Sequence, residues 1–371
     1  MSSHPTGNVP RFLLALLFPF LAPALATQAA ERLAITNFAG SGIKGFSGDG
    51  AAALDAQLNS PSGIARRPDG ALYICDTGNH RIRKVASDGK ILTIAGTGDG
   101  GWSGDGGPAT AAKLNEPYEV RFDSAGNIFW VERLSHCVRK CDAKTGIIST
   151  IAGSGTAGFS GDGDLAIHAQ LNEPHSIGFD KAGDLYICDV KNHRLRKVDM
   201  KTGKISTFAG NGEKKPTPDG AQFRSAPLYG PRALDFDNAG NLWLALREGN
   251  AVYRLDLSSG AIHHIAGTGK KGFDGNGGPA KTASLSGPKG LAVAADGKVF
   301  LADTESHSIR MIDRRGIIHL VAGTGARGDG PEGDPLKCQL ARPHGIFADK
   351  DGAVFIGDSD AHRIRVIHVL R

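Results

Sequence analysis

The chain has 371 residues, and its 43 basic and 38 acidic residues give a formal net charge of +5. A chain of this length can bury a large core, and so small a charge excess does not by itself indicate a nucleic-acid or membrane partner. The five cysteines form neither a Cys-x-x-Cys-His haem motif nor a four-cysteine zinc pattern, so we expect them to be small core residues with no proven disulfide.

The first 26 residues have the three-part pattern of a secretory signal peptide. Arg11 precedes an apolar run at 12–25, which ends in Ala24-Leu25-Ala26. The run is too short to span a bilayer, and no second apolar run follows it. We therefore predict cleavage after Ala26, a short linker at 27–32, and an exported mature protein, periplasmic or extracellular, without a transmembrane segment.

A tripeptide recurs six times along the rest of the chain, at steps of 56 or 57 residues. Its copies are Phe38-Ala39-Gly40, Ile94-Ala95-Gly96, Ile151-Ala152-Gly153, Phe208-Ala209-Gly210, Ile265-Ala266-Gly267 and Val321-Ala322-Gly323. A proline keeps nearly the same interval, at Pro61, Pro117, Pro174, Pro231, Pro288 and Pro343. Six copies of one unit indicate a repeat architecture in which neighbouring units bury a common core.

Each unit has the pattern of four short strands. In the second unit they are predicted at 120–123, 127–132, 138–142 and 147–152, separated by turns rich in Gly, Asp and Asn. Four antiparallel strands with short turns form a meander, and six meanders around an axis form a six-bladed β-propeller. The predicted fold class is therefore all-β, with a single propeller over residues 33–371.

The ends of the chain predict how the ring closes. Residues 33–39 form a lone fourth strand, and residues 364–370 form a lone third strand. We expect the N-terminal strand to complete the last blade, which removes an open sheet edge. Because the strands are antiparallel, the long loops between units and the turns between strands two and three share one face of the ring, here called the top face.

The loops between units carry an aromatic residue followed by Ser-Gly-Asp. This motif occurs at 46–49, 102–105 and 159–162, each time ahead of an alanine-rich segment. The glycines also match a dinucleotide fingerprint, but five copies in a meander without parallel βαβ units indicate turns. A calcium loop would need more carboxylates, so we interpret the aspartates as caps of short helices.

An acidic residue, a histidine and an arginine recur at fixed spacing around the turn between strands two and three. The five copies are Asp76, His80 and Arg83; Glu132, His136 and Arg139; Asp189, His193 and Arg196; Asp303, His307 and Arg310; and Asp358, His362 and Arg365. In the fourth unit all three change together, to Leu246, Asn250 and Tyr253. Because buried charges must be paired, we predict one hydrogen-bonded cluster that tethers this turn to its own blade.

Residues 185–195, Leu-Tyr-Ile-Cys-Asp-Val-Lys-Asn-His-Arg-Leu, resemble the signature of NHL-repeat propellers, and residues 76–82 and 361–364 match it too. The resemblance covers about residues 33–371. The glycine-rich loops are similar to those of exported bacterial NHL proteins and of the NHL segment of teneurins. The resemblance implies the fold and no single activity, because such propellers range from binding platforms to lyases and hydrolases.

The residue after each repeat proline begins the innermost strand and is expected at the rim of the central channel. These residues are Ser62, Tyr118, His175, Arg232, Lys289 and His344. They differ between units, and polar groups that converge on a concave surface favour a ligand site there. The predicted ligand-binding residues are the last five of this set together with Glu119, which follows Tyr118 in the chain.

Two of these residues, His175 and His344, lie on blades predicted to be opposite each other. Pro174-His175-Ser176 resembles a zinc-ligand motif of the peptide-amidating lyase, an NHL-type propeller that has three such histidines; the third is missing here. Glu116 and Glu173 lie one position before repeat prolines. Glu116, Glu173, His175 and His344 are therefore the candidate ligands of a divalent metal, zinc or calcium.

Basic residues concentrate in the top-face loops of units four and five. They are Lys214, Lys215, Arg224, Arg232, Arg247, Lys270, Lys271, Lys281 and Lys289. This sector favours an anionic partner.

The leading hypothesis is a monomeric, exported binding scaffold without a cofactor, whose partner is an unknown protein, a glycan or a small anion and not nucleic acid. The alternative is a metal-dependent hydrolase or lyase, similar to lactonase or amidating-lyase propellers.

Overall fold

A computed structural model describes residues 1–4, 7 and 32–370, so most of the predicted signal peptide and most of the predicted linker lie outside the described residues. Among the described residues, no helix is both long and apolar enough to cross a bilayer. The strands of this part of the chain are, in order, β1 Leu33–Ala39, β2 Pro61–Arg66, β3 Leu72–Asp76, β4 Arg81–Val85, β5 Ile91–Ala95, β6 Pro117–Phe122, β7 Ile128–Glu132, β8 Cys137–Cys141, β9 Ile148–Ala152, β10 Pro174–Phe179, β11 Leu185–Asp189, β12 Arg194–Val198, β13 Ile205–Ala209, β14 Pro231–Phe236, β15 Leu242–Leu246, β16 Ala251–Leu255, β17 Ile262–Ala266, β18 Pro288–Val293, β19 Val299–Asp303, β20 Ser308–Ile312, β21 Ile318–Ala322, β22 Pro343–Ala348, β23 Val354–Asp358 and β24 Arg363–Val369.

These strands form six four-stranded antiparallel sheets, so the predicted six-bladed propeller is confirmed. Blades 1 to 5 are consecutive groups of four strands from β2 to β21. Blade 6 has the order β1-β24-β23-β22, in which the N-terminal strand pairs with the last strand of the chain. The ring is closed by this pairing, as the chain ends predicted, because β1 covers the edge that β24 would otherwise expose.

The innermost strand of each blade begins at the repeat proline, three residues before the predicted start in the second unit. Pro117 pairs with Glu132 at one end of β6, and the register shifts between Pro117 and Glu119. This irregularity obscured the start of the strand, because a bulged proline position does not follow the alternating pattern of a regular strand.

The hydrophobic core lies between the blades. It consists of six clusters, each formed by two neighbouring blades; Tyr73 and Cys75 of blade 1, for example, pack with Trp130 of blade 2. All five cysteines are buried and free, which agrees with their interpretation as core residues. Each sheet is therefore buried on both faces, as the propeller architecture requires.

Short 3₁₀ turns occur at two positions of the repeat. In the loops between blades they are Ala53–Asp55, Ala109–Ala111, Ala166–His168 and Ala280–Thr282; between strands two and three they are Thr77–Asn79, Val190–Asn192, Thr304–Ser306 and Ser359–Ala361. The loop aspartates do not cap these turns, in contrast to the prediction. Asp49 instead accepts a hydrogen bond from Arg83 at 2.8 Å, because the buried guanidinium needs a second anionic partner.

The predicted structural cluster divides into two parts. The acidic residue and the arginine are fully buried and in contact in five blades, at distances from 2.8 Å for Arg365–Asp358 to 3.7 Å for Arg310–Asp303. In blade 4, Leu246 and Tyr253 replace this pair, and the Tyr253 hydroxyl donates to the carbonyl of Thr217 at 3.0 Å. The charged pair is thus replaced as a unit, so no buried charge is left alone.

The histidine of the motif binds the next blade rather than its own. Its Nδ1 accepts a hydrogen bond from the backbone N–H of the residue before the following repeat proline, at 3.1–3.2 Å. Asn250 makes the same bond to Gly287 through Oδ1 at 2.9 Å. The acceptors all have a left-handed backbone, with φ from 44° to 54°. Six such inter-blade hydrogen bonds, from His80, His136, His193, Asn250, His307 and His362, run around the described ring.

Candidate functional site

Side chains at the starts of the inner strands meet where the channel opens on the top face. The Tyr118 ring lies 4.8 Å from the His175 ring and 6.0 Å from the His344 ring, measured between centroids. The Arg232 guanidinium lies 4.4 Å from the Tyr118 centroid. A cavity of about 290 Å³, here called the central site, is lined by Glu116, Tyr118, Arg133, Glu173, His175, Val190, Lys191, Arg232, Arg247, Glu248, Lys289, Arg342 and His344.

Both histidines of the central site are held as neutral rings. Nδ1 of His175 lies 2.7 Å from the carbonyl oxygen of Glu173, and Nδ1 of His344 lies 2.8 Å from that of Arg342. A carbonyl oxygen only accepts, so each Nδ1 carries the proton and each Nε2 is an acceptor. Burial, followed by the neighbouring cations, places the pKa of both rings well below its usual value.

Lys289 and Glu305 form a polar pair at the edge of this site. Lys289 Nζ lies 2.8 Å from Glu305 Oε1 and 3.3 Å from His344 Nε2. Burial and the nearby Arg232 lower the pKa of Lys289 to about 8, although Glu305 opposes the shift. Burial alone would raise the pKa of Glu305, but hydrogen bonds from Lys289 and Arg342 lower it to about 2. The pair is therefore ionised at neutral pH.

Arg232 is the buried cation without an acidic partner. It is 4% exposed, and burial lowers the pKa of its guanidinium. Among the described residues, the two carboxylates whose charge acts on Arg232 bind other cations: Glu248 binds Arg247 and Glu119 binds Arg121. The lining has six cationic and three acidic side chains. The site therefore has an excess of positive charge, centred on a guanidinium that lacks an anion.

The predicted metal ligands all line the central site, but they have other partners. Glu116 and Glu173 both form ion pairs with Arg133, and His344 Nε2 faces Lys289. Within the described residues, no group of three or more His, Cys, Asp or Glu side chains is arranged to hold a metal ion. A metal at this position would require both carboxylates to leave Arg133.

The structure brings together five of the six predicted ligand-binding residues. The exception is Glu119, whose carboxylate binds Arg121 and does not line the cavity. The predicted basic sector does not form one surface either. Arg232, Arg247 and Lys289 line the central site, Lys214 and Lys281 line another cavity, and Lys215, Arg224, Lys270 and Lys271 are exposed.

Five charged residues that line the central site were not predicted as ligand-site residues from the rim positions: Arg133, Lys191, Arg247, Glu248 and Arg342. Arg342 occupies the repeat position of Glu116, one residue before the proline, so an alignment of the units would have found it. Arg133 and Arg247 share the first position after the second strand of their blades. These turns are remote from the inner strands in sequence and meet them only in three dimensions, so the rim positions gave no indication of them.

The chain is similar in sequence to NHL-repeat proteins. It is 29% identical over 301 residues to Protein SUPPRESSOR OF QUENCHING 1, chloroplastic, of Arabidopsis thaliana, a match that covers 75% of this chain and 27% of that protein. It is 28% identical over 283 residues to NHL repeat-containing protein 2 of Gallus gallus (68% and 38%) and 28% identical over 281 residues to human Teneurin-1 (66% and 10%). The chain therefore spans less than two fifths of the length of each of these relatives.

Solved structures share the fold at low sequence identity. A Bacteroides thetaiotaomicron protein of unknown function superposes with a TM-score of 0.69 at 16% identity, covering 92% of this chain and 76% of that one. Virginiamycin B lyase of Staphylococcus aureus gives 0.52 at 16% identity (91% and 99%), and a gluconolactonase of Xanthomonas campestris gives 0.56 at 13% identity (85% and 87%). At these identities the likeness shows the fold alone.

Two family models match segments of the chain. The teneurin NHL domain matches residues 37–87 and 265–339, and the NHL repeat matches residues 171–198. The segment matched by the NHL repeat contains residues 185–195, which resemble the NHL signature. Together with the six closed blades, these matches show that the chain belongs to the NHL-repeat six-bladed β-propellers.

Proposed function

We propose that the mature chain is an exported binding propeller whose central site holds a small organic anion. The observation that carries this proposal is Arg232, a buried guanidinium with no carboxylate partner among the described residues. Burying a charge without a counter-charge is unfavourable. An anionic ligand would supply the missing partner, and it would also offset the repulsion between Arg232 and the nearby Lys289.

The neutral histidines narrow the class of ligand. Nε2 of His175 is an acceptor at the cavity, and Nε2 of His344 faces Lys289. Acceptors beside an anion-binding arginine suit a ligand that carries hydroxyl donors beside its carboxylate. A cavity of about 290 Å³ lies at the lower end of the usual range for ligand sites. A hydroxy acid or a sugar acid fits these requirements better than a simple inorganic anion.

Calorimetric titration with gluconate and glucuronate tests the proposal, with glucose as the uncharged control. We expect binding of the acids and none of glucose, and a loss of at least about 30-fold in affinity in Arg232→Met, because a charge-assisted contact is removed. Arg224→Met is the matched control, since this exposed arginine belongs to the same blade region. Equal affinity of wild type and Arg232→Met would contradict the site, and binding of neither acid would contradict the ligand class.

The alternative, a metal-dependent hydrolase or lyase, is tested on the same protein. It requires a stoichiometric divalent ion that is lost in His175→Ala, together with turnover of a lactone or ester substrate. Metal-free protein that binds gluconate but does not hydrolyse gluconolactone would remove this alternative and leave the binding function. A bound metal with no anion binding would remove the binding proposal instead.

A further inference from the structure

Blade 4 contains a second cavity, of about 580 Å³, in the space that other blades fill with their own side chains. This blade-4 cavity lies between the divergent loop at 213–218 and strands β15 to β17. Tyr229, Leu246, Tyr253 and His264 supply its apolar and aromatic walls, and Lys214, Asp219, Glu248 and Lys281 supply its charges. Its volume is within the usual range for small-molecule sites.

The corresponding space in blades 1 and 3 holds an aromatic ring stacked on a guanidinium. Phe46 lies 3.6 Å from the Arg81 guanidinium, and Phe159 lies 4.0 Å from that of Arg194. In blade 4, Ala251 stands at the first position of the third strand, where these arginines stand. Pro216 stands three residues before Asp219, as Phe46 stands three before Asp49. Both stacked groups are therefore missing from blade 4.

The loop glycines give a second, independent measure of this space. In the other five loops, a Cβ added at the equivalent glycine would meet an arginine or an aromatic side chain; these glycines are Gly42, Gly98, Gly155, Gly212 and Gly325. At Gly269, beside the cavity, the nearest atom is a carbonyl oxygen 3.8 Å away. Blade 4 thus differs from every other described blade in leaving this surface uncovered.

Two polar groups near the missing side chains are still present. In blade 3, Arg194 donates to the carbonyl of Asn211 at 2.8 Å, and the equivalent residue beside the blade-4 cavity is Thr268. Asp219 accepts from the backbone N–H of His264 at 2.9 Å, as Asp105 accepts from Thr150. In blades 1 to 3 the equivalent aspartate also binds a second arginine, Arg83, Arg139 or Arg196, whose place Tyr253 takes in blade 4. Among the described residues, the second oxygen of Asp219 binds only the exposed Lys281, at 3.2 Å.

We propose that the blade-4 cavity binds a small organic cation that combines a planar ring with a guanidinium, amidine or amine. The ring would replace the missing phenylalanine against Tyr253 and Leu246. The cationic group would replace the missing arginine, beside Asp219 and the carbonyl of Thr268. Of the residues that line the blade-4 cavity, Glu248 alone also lines the central site, where positive charge is in excess. The proposal does not depend on the function of the central site.

Benzamidine and benzoate are the matched probes, because they share size and shape but have opposite charge. We expect benzamidine to bind with a Kd of about 1 mM or tighter, as a fragment of its size can, and benzoate to bind at least about 10-fold more weakly. Equal binding of the two, or no benzamidine binding at several times that concentration, would overturn the proposal. Binding is measured by ligand-observed NMR at pH 7.5.

Two variants locate the bound cation. Pro216→Phe with Ala251→Arg restores the pair that fills this space in blades 1 and 3, and it should abolish benzamidine binding while gluconate titration of the central site stays unchanged. Asp219→Asn keeps an acceptor for His264 and should weaken benzamidine at least about 10-fold, so the test does not depend on the filled variant folding. Benzamidine binding that persists in either variant, or that is lost in Arg232→Met, would place the cation elsewhere and overturn the proposal.

Discussion

His193 gives the sharpest test of how the ring is held together. Its Nδ1 accepts from the backbone N–H of Gly230 at 3.2 Å, in a fully buried bond that joins blade 3 to blade 4. Replacement by alanine leaves this N–H buried without an acceptor, which costs about 1–3 kcal/mol. The left-handed backbone, with φ of 53°, adds roughly 1 kcal/mol for alanine. We expect His193→Ala to lower the free energy of unfolding by about 2–4 kcal/mol.

Asparagine at the same position should be tolerated, because Asn250 already makes this bond in blade 4. Asparagine also accepts a left-handed backbone. We expect His193→Asn to remain within about 1 kcal/mol of wild type, since only the contact of the ring with Tyr229 is lost. His193→Gly separates the two causes: it fits the backbone but has no acceptor, so it should be destabilised by about 2 kcal/mol.

The assay is urea unfolding at pH 7.5, followed by the fluorescence of the buried Trp130, with midpoints compared at an unchanged m value. The same series at lower pH gives a second readout. Burial lowers the pKa of His193 below its usual value of 6.5, so its contribution is present above pH 6.5 and is lost as pH falls toward its folded pKa. The advantage of wild type over His193→Gly should therefore shrink on acidification, while that of His193→Asn persists. Equal midpoints for the alanine and asparagine variants would refute the reasoning.

Three further outcomes follow from the buried charges. Asp189→Leu should cost about 3 kcal/mol, because the buried Arg196 then keeps only the half-exposed Asp162 as an ionic partner. Asp189→Leu with Arg196→Tyr, which copies blade 4, should cost clearly less in the same urea assay; equal losses would contradict this. Affinity for gluconate should fall as pH rises through about 8, where Lys289 loses its charge, and titration of Lys289→Met should show no such fall. Arg232→Met should be at least as stable to heat as wild type without ligand, because it removes an unpaired buried charge; a loss of more than about 1 kcal/mol would make the guanidinium structural.

The fold was predictable because its buried positions repeat. Three features recur at the same interval: the tripeptide that ends in Ala-Gly, the repeat proline, and, in five units, the buried acidic residue with its arginine. Six copies of one unit therefore predicted six blades, and the chain ends predicted that the last blade is completed by the N-terminal strand. The hydrogen-bond partner of the histidine was not predictable. It lies 35 to 37 residues further on in four blades and, for His362, at Ser60 near the other end of the chain; the contact also depends on a left-handed backbone. Tyr118 lines the central site because it follows the repeat proline, a position that the sequence repeats in every unit. Arg133 was missed because it lies in a turn that meets the inner strands only in three dimensions.

The two cavities arise from opposite departures from the repeat. At the central site, the position after the proline is free to vary because it faces the channel, and Ser62 in blade 1 shows that a small neutral residue is sufficient there. Lys289 at the same position is paired with Glu305, but Arg232 adds buried positive charge that the scaffold does not need, which is unfavourable unless a ligand compensates it. Blade 4 departs from the repeat in a different way, because it lacks the stacked phenylalanine ring and arginine guanidinium that fill the corresponding space in blades 1 and 3. Asp219 is retained although the arginine that its counterparts bind in blades 1 to 3 is replaced by Tyr253, and this retained carboxylate is the feature that favours a cationic ligand in the blade-4 cavity.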